Sequence, residues 1–368
     1  MKVITVVGAR PQFIKAATLS RCIIRGNASQ NRETIEEKIV HTGQHYDFNM
    51  SSIFFEALGI PDPAYSLHVG SSSHGAQTGA MLEKIEGILL SEKPDVVLVY
   101  GDTNSTLAGA LAASKLHVPV AHVESGLRSF NRKMPEEVNR VLVDHLSQLL
   151  FCPSENAVTN LIGEGITTGV TNVGDVMFDG VLHFRDGVTR LPNVLHRLGL
   201  NAKSFYLATV HRAENTDSAD RLREIFFALG RLDRRYPLVL ALHPRTRNYI
   251  ASHQIEVPAS VRIIDPLPYF DMLELEIAAR VILTDSGGVQ KEAFFAGTPC
   301  VTLRDETEWV ETLECAANVL CGASSVAIIK ACSDFESGAV EPNFDSRPYG
   351  NGDAAEKIVS ALVAFARQ

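Results

Sequence analysis

Three carboxylates in the first half of the chain have the placement of an acid–base site. Asp102 follows the apolar run 96–100, Glu124 follows 118–123, and Glu136 opens the helical pattern that starts at Pro135. Carboxylates crowded around one pocket raise each other's pKa, so acid and base forms become available together. Glu137, beside Glu136, reads as an ordinary first-turn acid that complements the helix dipole. The cations that could balance this charge are Arg10, Lys15, Arg212, Arg245, Arg247 and Arg304, with His211 and His243. Arg10 and Lys15 follow the first apolar run, where they could grip a leaving diphosphate. The loop 127–133, which looks mobile, adds Arg128, Arg132 and Lys133.

A second constellation lies in residues 281–299, which read as a buried strand, a polar turn, a helix and a Gly-x-Pro exit. Ser286 is a natural N-cap, while Gly287 and Gly288 let a ligand approach the backbone closely. A helix opening in this way offers free N–H groups and a positive dipole end, which suit a phosphate. Glu292, six residues after Ser286, lies about 9 Å down the axis. That is roughly the span from a nucleotide's diphosphate to its ribose hydroxyls, which a carboxylate can accept.

Apolar runs of about five residues alternate with amphipathic segments of helix length, the signature of βα units and parallel sheets. Strands are expected at 2–7, 37–41, 95–100, 118–123, 149–152 and 169–173. The pattern restarts near residue 200, after the linker-like 188–192, with strands at 204–210, 237–242, 261–264, 280–283, 299–302 and 317–320. This predicts an α/β protein of two Rossmann-like doubly wound domains facing a cleft. The first domain is 1–174, with a C-terminal helix at 352–368 packing back on it, and the second is 175–351. Six of the strands end in ionisable residues, and open α/β sheets bind ligands at the carboxyl ends of their strands.

The composition, with 45% apolar and 21% charged residues, is that of a soluble globular protein. A net charge of −9 argues against a nucleic-acid partner. No apolar run reaches membrane-spanning length, and the first residues read as a strand, not a signal peptide, so no membrane partner and a cytoplasmic location are expected. The six cysteines form no Cys-x-x-Cys pair and should be reduced thiols. His41 and His45 lie four apart, but Gly43 argues against a helix there and no acidic or cysteine ligands accompany them, so no metal is expected. Gly-x-Ser-x-Gly, Walker A and Gly-x-Gly-x-x-Gly motifs are all absent from the sequence.

These residues, in order, resemble the non-hydrolysing UDP-N-acetylglucosamine 2-epimerases over nearly the whole chain. The resemblance runs through 8–15, 101–103, 122–128, 135–140, 173–175, 211–215, 285–292, 304–305 and 349–350. It implies the glycosyltransferase-B architecture, a homodimer, a UDP-sugar substrate and no redox cofactor or metal, UDP being retained during the reaction. It also implies elimination of UDP to a glycal and its re-addition, with Asp102, Glu124 and Glu136 as catalytic acids and His211 acting with them. Arg10, Lys15, Arg128, His243 and Arg304 would bind the substrate, Ser286, Gly287 and Gly288 its phosphates, and Glu292 its ribose. Gln12 stands where that family more often has Glu, and Gln44-His45-Tyr46-Asp47 keeps only the first glutamine of an activator-binding motif. The stretch 302–311 looks more like a subgroup that acts on UDP-2,3-diacetamido-2,3-dideoxy-glucuronic acid. The expected reaction is interconversion of UDP-N-acetylglucosamine and UDP-N-acetylmannosamine, or of a close 2-acetamido sugar, with that uronic acid as the alternative. A glycosyltransferase or a non-catalytic UDP-sugar sensor would share the nucleotide grip but would not need the three acids.

Overall fold

The computed structural model describes residues 1–28, 34–44, 60–188, 193–232 and 235–367, leaving aside the side chains of residues 10, 184 and 186–188. The linker-like residues 189–192 and the motif residues His45, Tyr46 and Asp47 lie outside the described residues. The chain divides into two compact units, Met1–Gly180 with Pro348–Gln368, and Val181–Arg347.

The first unit is built on seven parallel strands: β1 (Lys2–Val7), β2 (Glu36–His41), β3 (Tyr65–Ser66), β4 (Val96–Tyr100), β5 (Val120–Val123), β6 (Leu149–Cys152) and β7 (Val170–Asn172). Their order is β3-β2-β1-β4-β5-β6-β7, so the winding reverses between β1 and β4. Helices cover both faces, which is why a central strand such as Val96–Tyr100 is apolar throughout and has no exposed surface. Ile4, Val6, Val97 and Val99 point to one face, where they pack with Met81, Ile85 and Leu89 of the helix His74–Glu92. β3 is the strand that no apolar run announces. It is two residues long and pairs with Val40 and His41 at the sheet edge.

The second unit repeats the plan with β8 (Tyr206–Thr209), β9 (Leu238–Ala241), β10 (Arg262–Ile264), β11 (Val281–Thr284), β12 (Cys300–Thr302) and β13 (Asn318–Leu320). The order β10-β9-β8-β11-β12-β13 again reverses next to its first strand, here between β8 and β11. Tyr206 and Ala208 pack with Leu222, Ile225 and Phe226 of the helix Ala219–Leu232, while Leu207 and Ile282 pack with Leu275 and Ala293 on the opposite face. No helix of the described residues is long and apolar enough to cross a membrane.

The helix Ala354–Phe365 belongs to the first unit and lies against the helix Arg10–Ala28, burying Ile358 and Leu362. Its first turn is capped from a distance, with Ala355 N donating to Asp179 Oδ2 at 2.8 Å. Burial raises the Asp179 carboxyl to about 6, the N–H groups of Ala355 and Ala354 opposing the rise and Asp175 and Asp353 adding to it. The folded state thus holds this proton more tightly than the unfolded chain does. Its contribution to stability is complete at low pH and is lost as pH rises through about 6. Asp179→Asn should gain about 2–3 kcal/mol relative to the wild type between pH 4 and pH 7, read by hydrogen exchange of the Ala354–Phe365 amides in urea, which follows the first unit alone. A pH-independent difference would show that the carboxyl is not protonated in the fold.

Candidate active site

The first unit assembles its carboxylates at and beside its switch point. Gly101 N donates to Val123 O at 3.0 Å, so the turns that follow β4 and β5 are joined, and Asp102 and Glu124 come from neighbouring strand ends. Lys15, on the helix that follows β1, forms an ion pair with Glu124 in which both side chains are 9% exposed. A Cβ on Gly101 would lie 3.1 Å from Glu124 Oε2 and 3.6 Å from Lys15 Nζ, so a side chain here would crowd the carboxylate and, at φ +61°, strain the backbone. Glu124 itself has φ +73°, a left-handed backbone that costs an ordinary residue about 1–2 kcal/mol. Asp102 Oδ2 receives Arg140 Nη2 at 2.5 Å, and Asp102 O receives Asn139 Nδ2 at 2.9 Å. Arg140 lies one turn beyond Glu136 on the helix Pro135–Leu146, so Asp102 is laced to the helix that carries Glu136.

Several residues that sequence reasoning passed over hold this arrangement. Gln12 is buried; its Oε1 accepts from Gly8 N and Ala9 N, and its Nε2 lies 2.8 Å from Tyr100 O, 3.0 Å from Thr103 Oγ1 and 2.9 Å from Thr106 Oγ1. Contact with a carbonyl needs a donor, which the amide supplies and a carboxylate does not. Glu137 does more than meet a helix dipole. It accepts from Ser129 N at 2.9 Å, Phe130 N at 2.9 Å, Ser129 Oγ at 3.1 Å and Arg140 Nη1 at 3.0 Å, which ties down the 127–133 loop. Arg128 sits apart from the acids it was expected to serve. It is 4% exposed, binds Glu164 through Nε and Nη2 at 2.7 Å each, and gives Nη1 to Asp144 Oδ2 and Leu127 O. Its guanidinium is a clasp inside the unit. The side chain of Arg10 lies outside the described residues.

In the second unit the centre is Asp285, at the end of β11 and fully buried. Its carboxylate accepts from His211 N, Arg212 N and Asn215 Nδ2, each at 3.0 Å, and so fixes the turn after β8. His211 Nδ1 lies 3.2 Å from Asp285 Oδ1, which assigns the proton to Nδ1 and leaves Nε2 for a ligand. Burial lowers the pKa of His211, with Arg212, His243 and Arg245 acting the same way and Asp285 opposing. His243 caps the helix Pro244–Ser252, Nδ1 accepting from Arg245 N at 3.2 Å, and its ring centre lies 6.2 Å from that of His211.

Ser286 caps the helix Gly287–Phe295 by accepting from Val289 N at 3.4 Å. The two glycines differ. A Cβ on Gly287 would meet Glu308 Oε1 at 2.7 Å and Trp309 Nε1 at 3.4 Å, whereas one on Gly288 would meet nothing nearer than Ser286 Oγ at 3.8 Å. Gly288 is therefore the open approach to this helix start. Arg304 is 2% exposed and gives Nη1 to Glu308 Oε2 at 3.0 Å, within the loop that covers Gly287. Glu292 is 8% exposed, on the same helix as Gly288. Among the described residues no group of three His, Cys, Asp or Glu could hold a metal ion.

The chain matches the family model described as UDP-N-acetylglucosamine 2-epimerase over residues 27–363. It is 50% identical over 367 residues to a UDP-N-acetylglucosamine 2-epimerase homolog of Methanococcus maripaludis, covering 98% of this chain and 99% of that one. It is 51% identical, with the same coverage, to the UDP-2,3-diacetamido-2,3-dideoxy-D-glucuronate 2-epimerase of Pseudomonas aeruginosa. The crystal structure of Methanocaldococcus jannaschii UDP-GlcNAc 2-epimerase in complex with UDP-GlcNAc and UDP superposes with a TM-score of 0.89 at 42% identity, covering 99% of this chain and 100% of that one. The two parallel sheets are thus those of a glycosyltransferase-B-like fold. With whole-length matches of this closeness, the chain belongs to the UDP-N-acetylglucosamine 2-epimerase family.

Proposed function

We propose that the protein epimerises a UDP-2-acetamido sugar at C2, interconverting UDP-N-acetylglucosamine and UDP-N-acetylmannosamine. The observation that carries this reading is the pairing of each strand-end acid with a cation, Glu124 with Lys15 and Asp102 with Arg140. A grip on UDP alone has no use for such acids. The C2–H bond breaks as its proton passes to a carboxylate, the C1–O bond breaks as UDP leaves, and a C1=C2 double bond forms. UDP then adds back at C1 while a second acid protonates C2 on the opposite face. One proton is taken by the first carboxylate and another is supplied by the second acid, the two groups resetting by exchange with solvent, and UDP leaves and returns, so the reaction is redox-neutral and calls for no hydride carrier. Positive charge developing at C1 is stabilised by the carboxylates around it.

In this reading the second unit holds the nucleotide. Ser286 and the open face of Gly288 receive phosphate, Glu292 the ribose hydroxyls, and His211 the bridging or terminal phosphate oxygen through Nε2. His211 then supplies a further expected result. With its pKa lowered in the free protein, its Nε2 carries no proton near neutrality, and a diphosphate beside it favours protonation. Binding of UDP should take up a proton and weaken as pH rises from 6 to 8, by at most about tenfold per pH unit. Calorimetry in two buffers of different ionisation enthalpy reads this directly, and zero uptake would remove His211 from the phosphates.

The function itself is tested by NMR of the protein with UDP-N-acetylglucosamine in D2O, and in parallel with the diacetamido uronic acid analogue. The expected result is the 2-epimer carrying deuterium at C2. Tight UDP binding with no exchange at C2 on either sugar would refute the proposal. We also infer a homodimer, supported by Val138 and Leu142, exposed one turn apart on the helix of Glu136. Sedimentation at micromolar concentration tests it, a monomer being the contrary result.

A further inference from the structure

His122 lies on β5, two residues before Glu124, and has no exposed surface. Its Nδ1 is 2.7 Å from Asp144 Oδ1 and its Nε2 is 2.8 Å from Gly101 O. A carbonyl oxygen can only accept. Asp144 also behaves as an acceptor, because its Oδ2 takes Arg128 Nη1 at 2.7 Å and Gly126 N at 3.1 Å. A neutral imidazole has one N–H, and in either tautomer it would leave a nitrogen lone pair facing an oxygen lone pair where no water reaches. Two N–H groups satisfy both contacts. Charge balances as well, since Arg128 and an imidazolium face Asp144 and Glu164.

The two ends of this chain of bonds are the turns that carry the acids. Nε2 holds the carbonyl of the residue before Asp102, and Asp144 holds the amide two residues after Glu124. We propose that His122 is a positioning residue for the epimerisation, held as a buried imidazolium that locks the Asp102 and Glu124 turns to one another. This rests on the reading of those acids as the reacting groups. His122 touches no substrate; it acts through the backbone at residues 101 and 126.

The charge state is tested without substrate, on wild-type protein labelled with 15N-histidine. One ring should show both N–H protons, protected from exchange with solvent, and His122 is the one histidine of the described residues with no exposed surface. A spectrum in which every protected ring carries a single N–H would overturn the imidazolium. The positioning role is tested with His122→Gln and with Asp144→Asn, either of which suffices if the other fails to fold. Each should lower kcat about 10–100-fold while leaving KM and the Kd for UDP within about twofold, since a misplacement of about 1 Å costs a rate of this order. A folded variant with undiminished kcat, or one whose loss lies in KM alone, would overturn the role. Failure of the wild type to exchange C2 would instead refute the function proposed above, and the NMR result would stand apart from it.

Discussion

Replacing Glu124 by glutamine should lower kcat by about 10³-fold and leave the affinity for UDP within a few-fold. Glutamine keeps the shape of the side chain but can neither take nor return a proton. It also leaves Lys15, 9% exposed, without the charge it now faces. Asp102→Asn should behave alike in kcat, while Arg140 Nη2 loses a carboxylate and Nη1 keeps Glu137. The residues proposed to hold the nucleotide belong to the other unit, so calorimetry with UDP and steady-state kinetics should part company in both variants. Joint loss of binding and turnover would mean that the division of labour is wrong. The backbone adds a second reading of the same position. Glu124 is held at φ +73°, so Glu124→Gly should be more stable than Glu124→Ala by about 1 kcal/mol, both being inactive and both leaving Lys15 without its counter-charge.

Glu276→Met should stabilise the second unit by about 1–3 kcal/mol. Glu276 is 1% exposed on the helix Tyr269–Ala278, and neither carboxyl oxygen has a hydrogen-bond partner. Burial, and then the nearby Glu292, push this carboxyl well above the ordinary range. The folded state therefore takes up a proton that the unfolded chain releases once pH exceeds about 4.5. Stability drawn from this group is complete below that pH and falls as pH rises, so the gain from methionine should grow between pH 5 and pH 8. Two units make global unfolding unsuitable for the comparison. The single tryptophan, Trp309, is buried in the second unit, and its fluorescence follows that unit alone. A variant less stable than the wild type at both pH values would show that the carboxyl has a partner worth more than its burial costs.

Much of the fold could be read from apolar runs, because strands covered on both faces must be apolar throughout. β3 could not, since a two-residue edge strand leaves no run to find. The placement of Asp102 and Glu124 just past neighbouring strands was legible for a related reason, since each follows an apolar run directly. The residues that hold those acids were not. Glu137, Asn139, Arg140 and Asp144 repeat at helical spacing, and polar residues in that pattern ordinarily mark the solvent face. Here they are buried, turned toward Asp102, the 127–133 loop and His122. Arg128 misled for the complementary reason. A cation in a basic loop suggests an anionic ligand, and only the fold brings up Asp144 and Glu164, 16 and 36 residues away, to occupy it.

The connectivity of the two units bears on the order in which the protein is made. The second unit is one continuous stretch, Val181–Arg347, set inside the sequence of the first. All of it has been translated before Ile358 and Leu362 exist to cover the helix Arg10–Ala28, or Ala355 to meet Asp179. The half that begins first therefore finishes last. During synthesis it must carry an uncovered apolar helix face while its neighbour is already able to fold, and that interval is when chaperones would have most to hold.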